Sequence, residues 1–330
     1  MALSPRVNIV FAITLMALTS GCADSVREPG SRTASMSNVK SKTVATRKKV
    51  TKPKVVRSRL SGVKTWAFQL QKIKPSKIAN SSVDLVVVDY SKDGTQRRAF
   101  RAADIRRMRK KPNGKRRVVL AYLSIGEAES YRYYWQNDWQ DQNPAWLGPE
   151  NPNWPKNYKV RYWHKEWQRI IFGHRKAYLD KIIAAGFDGI YLDIIDAYEF
   201  WGNERPQAAD DMVKFVSQLA SYSRSMKKGF LIVPQNGEGL LQKPKFTASI
   251  DAFAKEDLLF GIRGVGVPNT LRETADSLRL LNLAKQAGKP VFVTEYISDA
   301  PEVLRAKHKL ANMGFVPYFG RVELDRLASR

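Results

Sequence analysis

Short apolar runs recur along the chain from residue 65 onward: TWAFQL (65–70), DLVVVDY (84–90), RVVLAYLSIG (117–126), DGIYLDIID (188–196), FLIVPQNG (230–237), IDAFAKED (250–257), KPVFVTEYI (289–297) and FVPYFG (315–320). They are rich in β-branched and aromatic residues, and several are apolar at nearly every position. That pattern belongs to parallel strands covered on both faces. Between the runs the period changes. Trp163, Trp167, Ile170, Ile171, Tyr178, Ile182 and Ile183 share one helical face ahead of Gly186, which predicts a single helix ending at that glycine. Helices are also predicted over 210–226, 271–287 and 300–313, while the gaps before Leu85 and between Leu240 and Ile250 leave room only for short ones. Eight strands alternating with helices predict an α/β fold, a (β/α)8 TIM barrel, over residues 61–330.

A barrel of this kind gathers its chemistry where the strands end. Those positions carry Gln69, Asp89 and Tyr90, Glu127 and Glu129, Asp193 and Asp196, Asn236 and Glu238, Glu256 and Asp257, Glu295 and Tyr296, and Tyr318. The chain as a whole has 56 Lys and Arg against 31 Asp and Glu, a formal charge of +25, so the acidic strand ends locally reverse the global balance.

Much of the positive excess lies ahead of the barrel. Residues 27–64 hold 12 basic residues and one acid, Glu28, with no aromatic residue, which predicts a disordered basic tether over 23–60 that anionic lipid or polysaccharide would attract. Residues 1–22 show Arg6, an apolar run over 10–18 and small residues up to Cys22, the single cysteine. This pattern predicts a signal peptide, and its end resembles a bacterial lipoprotein box with Cys22 as the lipidation site. The chain is accordingly expected to be exported, as an envelope lipoprotein or a secreted protein, with no nucleic-acid partner and as a monomer. One cysteine permits no intramolecular disulfide.

The residue inventory narrows the chemistry. A phosphate-binding GxxxxGK[ST] loop and a GxSxG nucleophile elbow are both missing from the sequence. The three histidines, His164, His174 and His308, fall on predicted helices and not at strand ends, which argues against a His-based metal site or triad; no metal or cofactor is expected, although the carboxylates could supply oxygen ligands for a hard cation such as Ca²⁺. Paired carboxylates beside aromatic residues suit glycoside hydrolysis, in which one carboxyl protonates the leaving oxygen and another attacks the anomeric carbon or activates water. Residues 131–163 contain Trp135, Trp139, Trp146, Trp154 and Trp163, which either form platforms for sugar rings or pack a long insertion onto the barrel.

The stretches TWAFQLQ, VVVDYSKDG, VLAYLSIGEAESYRYYW, GFDGIYLDIID, IVPQNG and IDAFAKEDLLFG together resemble glycoside hydrolase family 114, the endo-α-1,4-polygalactosaminidase family, in its bacterial branch, over residues 63–319. The resemblance implies a TIM barrel and retaining hydrolysis of α-1,4-linked galactosamine polymers by an Asp after the fourth strand and a Glu after the sixth. Carried over by position, these are Asp193 as nucleophile and Glu256 as acid/base. Asp89, Tyr90, Glu127, Asn236 and Tyr296 are then expected to bind substrate. Asp196 is expected either to meet a cationic amino sugar or to cap a helix, and Asp257, Glu238 and Glu295 to form salt bridges. The competing expectation is a carbohydrate-binding barrel lipoprotein that uses the same pocket without hydrolysis.

Overall fold

The apolar runs form a closed ring of parallel strands in the computed structural model, which describes residues 59–327. In chain order they are β1 (Trp66–Gln69), β2 (Leu85–Val88), β3 (Val118–Ser124), β4 (Gly189–Asp193), β5 (Leu231–Pro234), β6 (Phe253–Glu256), β7 (Val291–Glu295) and β8 (Val316–Phe319). The first five pair in sequence order and the last three do likewise, all in parallel. The two arcs meet on one side through a bridge between Gln235 and Ala254, reinforced by Asn236 N–H donating to Ala254 O at 3.0 Å. On the other side, side chains close the seam: Trp66 Nε1 donates to Val316 O at 2.9 Å and the Tyr318 hydroxyl to Phe68 O at 3.1 Å.

Strand pleating sends alternate residues inward. The interior is filled by rings from four strands: Phe68 and Tyr191 lie 5.0 Å apart, Trp66 and Phe292 5.4 Å, and Trp66 and Tyr318 5.5 Å between centroids. Each such ring buries enough apolar surface to stabilise the fold by about 2–3 kcal/mol, and together they make a dry floor beneath the strand ends.

Most predicted helices are present, over Ala208–Met226, Leu271–Gln286 and Ala300–Asn312, with short ones over Pro75–Ala79 and Pro244–Ser249. The single helix expected up to Gly186 is instead two, Lys165–Ile171 and Tyr178–Ala185. Gly173 breaks it at φ +105°, a conformation open to glycine, and its N–H is held by Asp180 Oδ2 at 3.2 Å. His164 therefore sits at the start of the first helix and His174 in the break, while His308 is helical as expected.

The insertion after β3 folds on itself. Strands Glu127–Glu129, Asn157–Val160 and Leu147–Glu150 form a small antiparallel sheet. Trp135, Trp139, Trp146 and Trp167 contact one another in series at centroid distances of 5.3, 4.8 and 5.2 Å, ending where Trp167 Nε1 donates to Ile125 O. Trp163 packs on Trp201, and Trp154 alone of the five tryptophans of residues 131–163 is largely exposed, at 48%. Most of this aromatic content fastens the insertion to the barrel. Among the described residues no helix is long and apolar enough to cross a membrane. The predicted leader, Cys22 and nearly all of the predicted tether lie outside the described residues.

Candidate active site

β4 and β6 each end on a carboxylate, Asp193 and Glu256. The next residue in both cases turns the chain through the left-handed region, Ile194 at φ +55° and Asp257 at φ +54°. β5, between them, does the same: Gln235 follows the strand and Asn236 stands at φ +60°. A β-branched residue such as Ile194 rarely adopts this conformation, at a cost of about 1–3 kcal/mol. The turn after β4 is held from outside, because a Cβ added to Gly126 would meet the Ile194 carbonyl oxygen at 2.1 Å. Three neighbouring strands thus share one terminal device that stops the ladder and leaves the last inward side chain at the mouth.

The two carboxylates face each other across Gln235. Asp193 Oδ2 accepts from the Tyr122 hydroxyl at 2.7 Å, and Oδ1 from the Ile194 N–H at 2.9 Å and from Gln235 Nε2 at 3.4 Å. Glu256 Oε2 accepts from the same Gln235 nitrogen and, at 3.5 Å, from Asn236 Nδ2, while Oε1 accepts from the Tyr296 hydroxyl. Asn236 Oδ1 takes the Glu256 backbone N–H at 3.1 Å. Two carboxyl oxygens on one nitrogen lie within two hydrogen-bond lengths of each other, about 6 Å at most.

Neither carboxylate forms a salt bridge among the described residues; Lys255, beside Glu256 in sequence, pairs with Glu238 at 3.4 Å. Burial over the aromatic floor pushes Asp193 up to about 7, the charge of Glu256 adds to this, and the bonds from Tyr122 and Ile194 oppose it. Burial likewise pushes Glu256 up to about 7 against the bonds from Tyr296 and Asn236 and the charge of Lys255, with Asp257 adding to the rise. A pair of like charges this close holds one proton between them near neutral pH.

Asp196, three residues beyond Asp193, occupies the position ahead of helix Ala197–Trp201 but makes no side-chain capping bond. Burial, then the charges of Asp193 and Glu199, push it up to about 7. Burial also raises Asp257 to about 6. Asp193, Asp196, Glu256, Asn236 and Tyr296 are therefore brought together on one side of the mouth.

The remaining predicted residues stand elsewhere. Asp89 is buried and paired with Arg132 at 2.7 Å, and Arg132 also holds Glu129 at 2.6 Å. Tyr90 packs edge-on against Tyr178 at 4.9 Å, with its hydroxyl on Gln96 Oε1 at 3.3 Å. Glu127 accepts from Lys159 Nζ at 2.7 Å and Asn151 Nδ2 at 2.8 Å. Glu238 pairs with Lys255 at 3.4 Å, and Glu295 accepts the Leu259 and Phe260 N–H groups at 2.8 and 3.2 Å, bracing the loop after β6. Gln235 and Tyr122 were not singled out in the sequence. Their signal is parity: each lies in phase with the inward residues of its strand, Gln235 with Leu231 and Val233, and Tyr122 with Leu120. Among the described residues no three of His, Cys, Asp and Glu converge to hold a metal ion.

A TIM barrel with two adjacent carboxyls, neither in a salt bridge among the described residues, at the ends of β4 and β6 has the frame of a glycoside hydrolase. The GH114 family model matches residues 40–330, and the chain belongs to this glycoside-hydrolase family. It is 40% identical over 279 residues to an uncharacterized protein of Methanocaldococcus jannaschii, covering 79% of this chain and 77% of that one. An uncharacterized Thermotoga maritima protein is 36% identical over 273 residues, covering 79% and 81%. Among solved structures, the glycoside hydrolase domain of PelA from Pseudomonas aeruginosa superposes with a TM-score of 0.64 at 18% identity, covering 81% of this chain and 99% of that one. Aspergillus fumigatus Ega3, solved in complex with galactosamine, gives 0.59 at 17% identity, covering 83% and 99%.

Proposed function

We propose that this glycoside hydrolase cleaves an α-1,4-linked galactosamine-type polymer with retention, using Asp193 as nucleophile and Glu256 as acid/base. The observation that carries the reading is the shared amide nitrogen. It brings the two carboxyl oxygens within about 6 Å, the close spacing of retaining enzymes and not the wider gap that leaves room for an intervening water. In the first step protonated Glu256 gives its proton to the glycosidic oxygen, the bond from that oxygen to the anomeric carbon breaks, and Asp193 forms an ester to the carbon. In the second, water attacks the same carbon, Glu256 takes the water's proton, and the ester bond to Asp193 breaks. One proton shared by the pair near neutral pH supplies the required starting state.

The amino-sugar choice is supported by Asp196 and Asp257, carboxylates near the pair that form no salt bridge among the described residues, which suit a substrate ammonium group. It is supported also by the galactosamine bound to the related Ega3 fold. Polymeric substrate and the predicted leader together place the reaction, in this reading, outside the cytoplasm. The test is oligosaccharide release, read by mass spectrometry, from α-1,4-galactosamine-rich polymer and from its fully N-acetylated form. Release from the amine form by the parent, lost in Asp193→Asn and Glu256→Gln, is the expected result. Folded parent protein that binds these glycans but releases nothing would move the assignment to a carbohydrate-binding barrel.

A further inference from the structure

We infer that Gln235 is a positioning residue that fixes the two carboxylates relative to each other and sets the protonation of the pair through its single amide nitrogen. This rests on the reading of Asp193 and Glu256 as the catalytic pair. Three observations converge on it. Among the described residues Gln235 Nε2 is the one group that donates to both carboxylates. Its side chain is almost fully buried, with 2% of the residue exposed, and its Oε1 has no hydrogen-bond partner. Its strand ends with the same left-handed turn that follows Asp193 and Glu256, so β5 delivers Gln235 to the mouth as its neighbours deliver the acids.

The orientation of the amide follows from its neighbours. At least one of the two carboxyls is ionised and only accepts, and both lie on one side of the amide, so the NH2 end faces them and the carbonyl end faces away. That leaves Oε1 buried and unpaired, a cost a residue chosen for packing would avoid. The gain is electrostatic. The NH2 group stabilises the ionised form of whichever carboxylate has released the shared proton, and it has one hydrogen for each. Because it is neutral it lowers the repulsion within the pair without fixing the charge on either member, as a lysine or arginine would. Tyr122 and Tyr296 then hold the outer oxygen of each acid, so every carboxyl oxygen of the pair is oriented. The same logic explains why neither acid is salt-bridged among the described residues: a cation in direct contact would drive both acids to the ionised form and remove the general acid.

The role is separable from structure. Gln235→Met keeps the length and volume of the side chain and removes both the donor and the orphaned oxygen, so its thermal stability should equal or exceed that of the parent. Titration of the pair, followed by carboxyl NMR of the full-length chain labelled with ¹³C at Asp and Glu side chains and assigned with Asp193→Asn and Glu256→Gln, should move upward by about one pH unit or more. On a cleaved polymer, kcat should fall by about 10²-fold with KM little changed, and the pH profile should shift in the same direction as the titration. Gln235→Glu should recover part of the rate at low pH, where its carboxyl is protonated and can donate, and lose it as pH rises. An unmoved titration in Gln235→Met with the fold intact would overturn the inference. The titration needs no substrate, so a parent that cleaves no polymer would sink the hydrolytic reading while the positioning role is still decided.

Discussion

Asp89 follows β2 and Glu127 and Glu129 follow β3, just as Asp193, Asp196 and Glu256 lie at the ends of β4 and β6, yet the two sectors of the mouth are opposite in electrostatic design. In the first, Arg132 lies buried between Asp89 and Glu129, and Lys159 reaches Glu127. In the second, Asp193 and Glu256 are satisfied only by neutral donors, two tyrosine hydroxyls, two amides and a backbone N–H. The first sector uses its acids to anchor the insertion after β3. The second leaves its acids proton-sharing and without salt bridges among the described residues, with Lys255 acting on Glu256 only at a distance. The number of carboxylates at strand ends therefore marks the mouth, and the distribution of cations marks the site within it.

The largest effect should come from exchanging these conditions. Arg132→Leu leaves two buried carboxylates without their cation and should destabilise the barrel by about 3–5 kcal/mol. Asp193→Asn relieves an uncompensated buried acid and should stabilise it by roughly 2 kcal/mol at pH 8, while removing turnover. Thermal unfolding of both variants at pH 8 checks the contrast. A fall in stability for Asp193→Asn comparable to that of Arg132→Leu would mean that the two sectors are both structural.

A smaller effect follows from pH. Asp193 and Glu256 hold their protons up to about 7 in the folded chain, whereas unfolded carboxyls release theirs near 4. Between about 4 and 7 the folded state binds more protons than the unfolded state, so these two groups make stability fall as pH rises through that window and leave it level above it. The difference in melting temperature between pH 5 and pH 8 should shrink by a few degrees in the double variant Asp193→Asn/Glu256→Gln relative to the parent. Groups with depressed values, such as Asp84, act in the other direction and cancel in that comparison. An unchanged difference would show that the pair does not hold its proton as described.

The comparison also explains what was legible beforehand. The eight strands could be read because fully covered parallel strands are apolar at nearly every position, and the acids at their ends because they are conspicuous in a basic chain, while choosing Asp193 and Glu256 among those acids came from the family resemblance. The helix break at Gly173 could not, since the apolar face continues across it from Ile171 to Tyr178 and the turn depends on Asp180 from the next helix. The division of the acids into paired and unpaired sectors was hidden for the same reason: Arg132 and Lys159 sit in an insertion whose fold sequence spacing does not specify. Gln235 was passed over for Asn236 because a neutral amide beside another carries no charge signal. Only the inward parity of Leu231, Val233 and Gln235 separates them.

The smallest effect tests the shared turn itself. Ile194 holds a conformation that asparagine adopts with less strain, and its side chain lies against the space above Gly126, where an added Cβ would meet Ile194 Cγ2 at 2.8 Å. Ile194→Asn should relieve about 1 kcal/mol of backbone strain and lose a similar amount of apolar contact, for a net change within about 1 kcal/mol. The backbone N–H that orients Asp193 Oδ1 is kept, so the carboxyl titration should be unmoved. Denaturant unfolding and the same NMR titration check both halves. A stability loss well beyond this range with an unmoved titration would assign Ile194 to packing against Gly126. A shifted titration at unchanged stability would show instead that the strained turn itself sets the position of the nucleophile, extending to β4 the control that Gln235 exerts from β5.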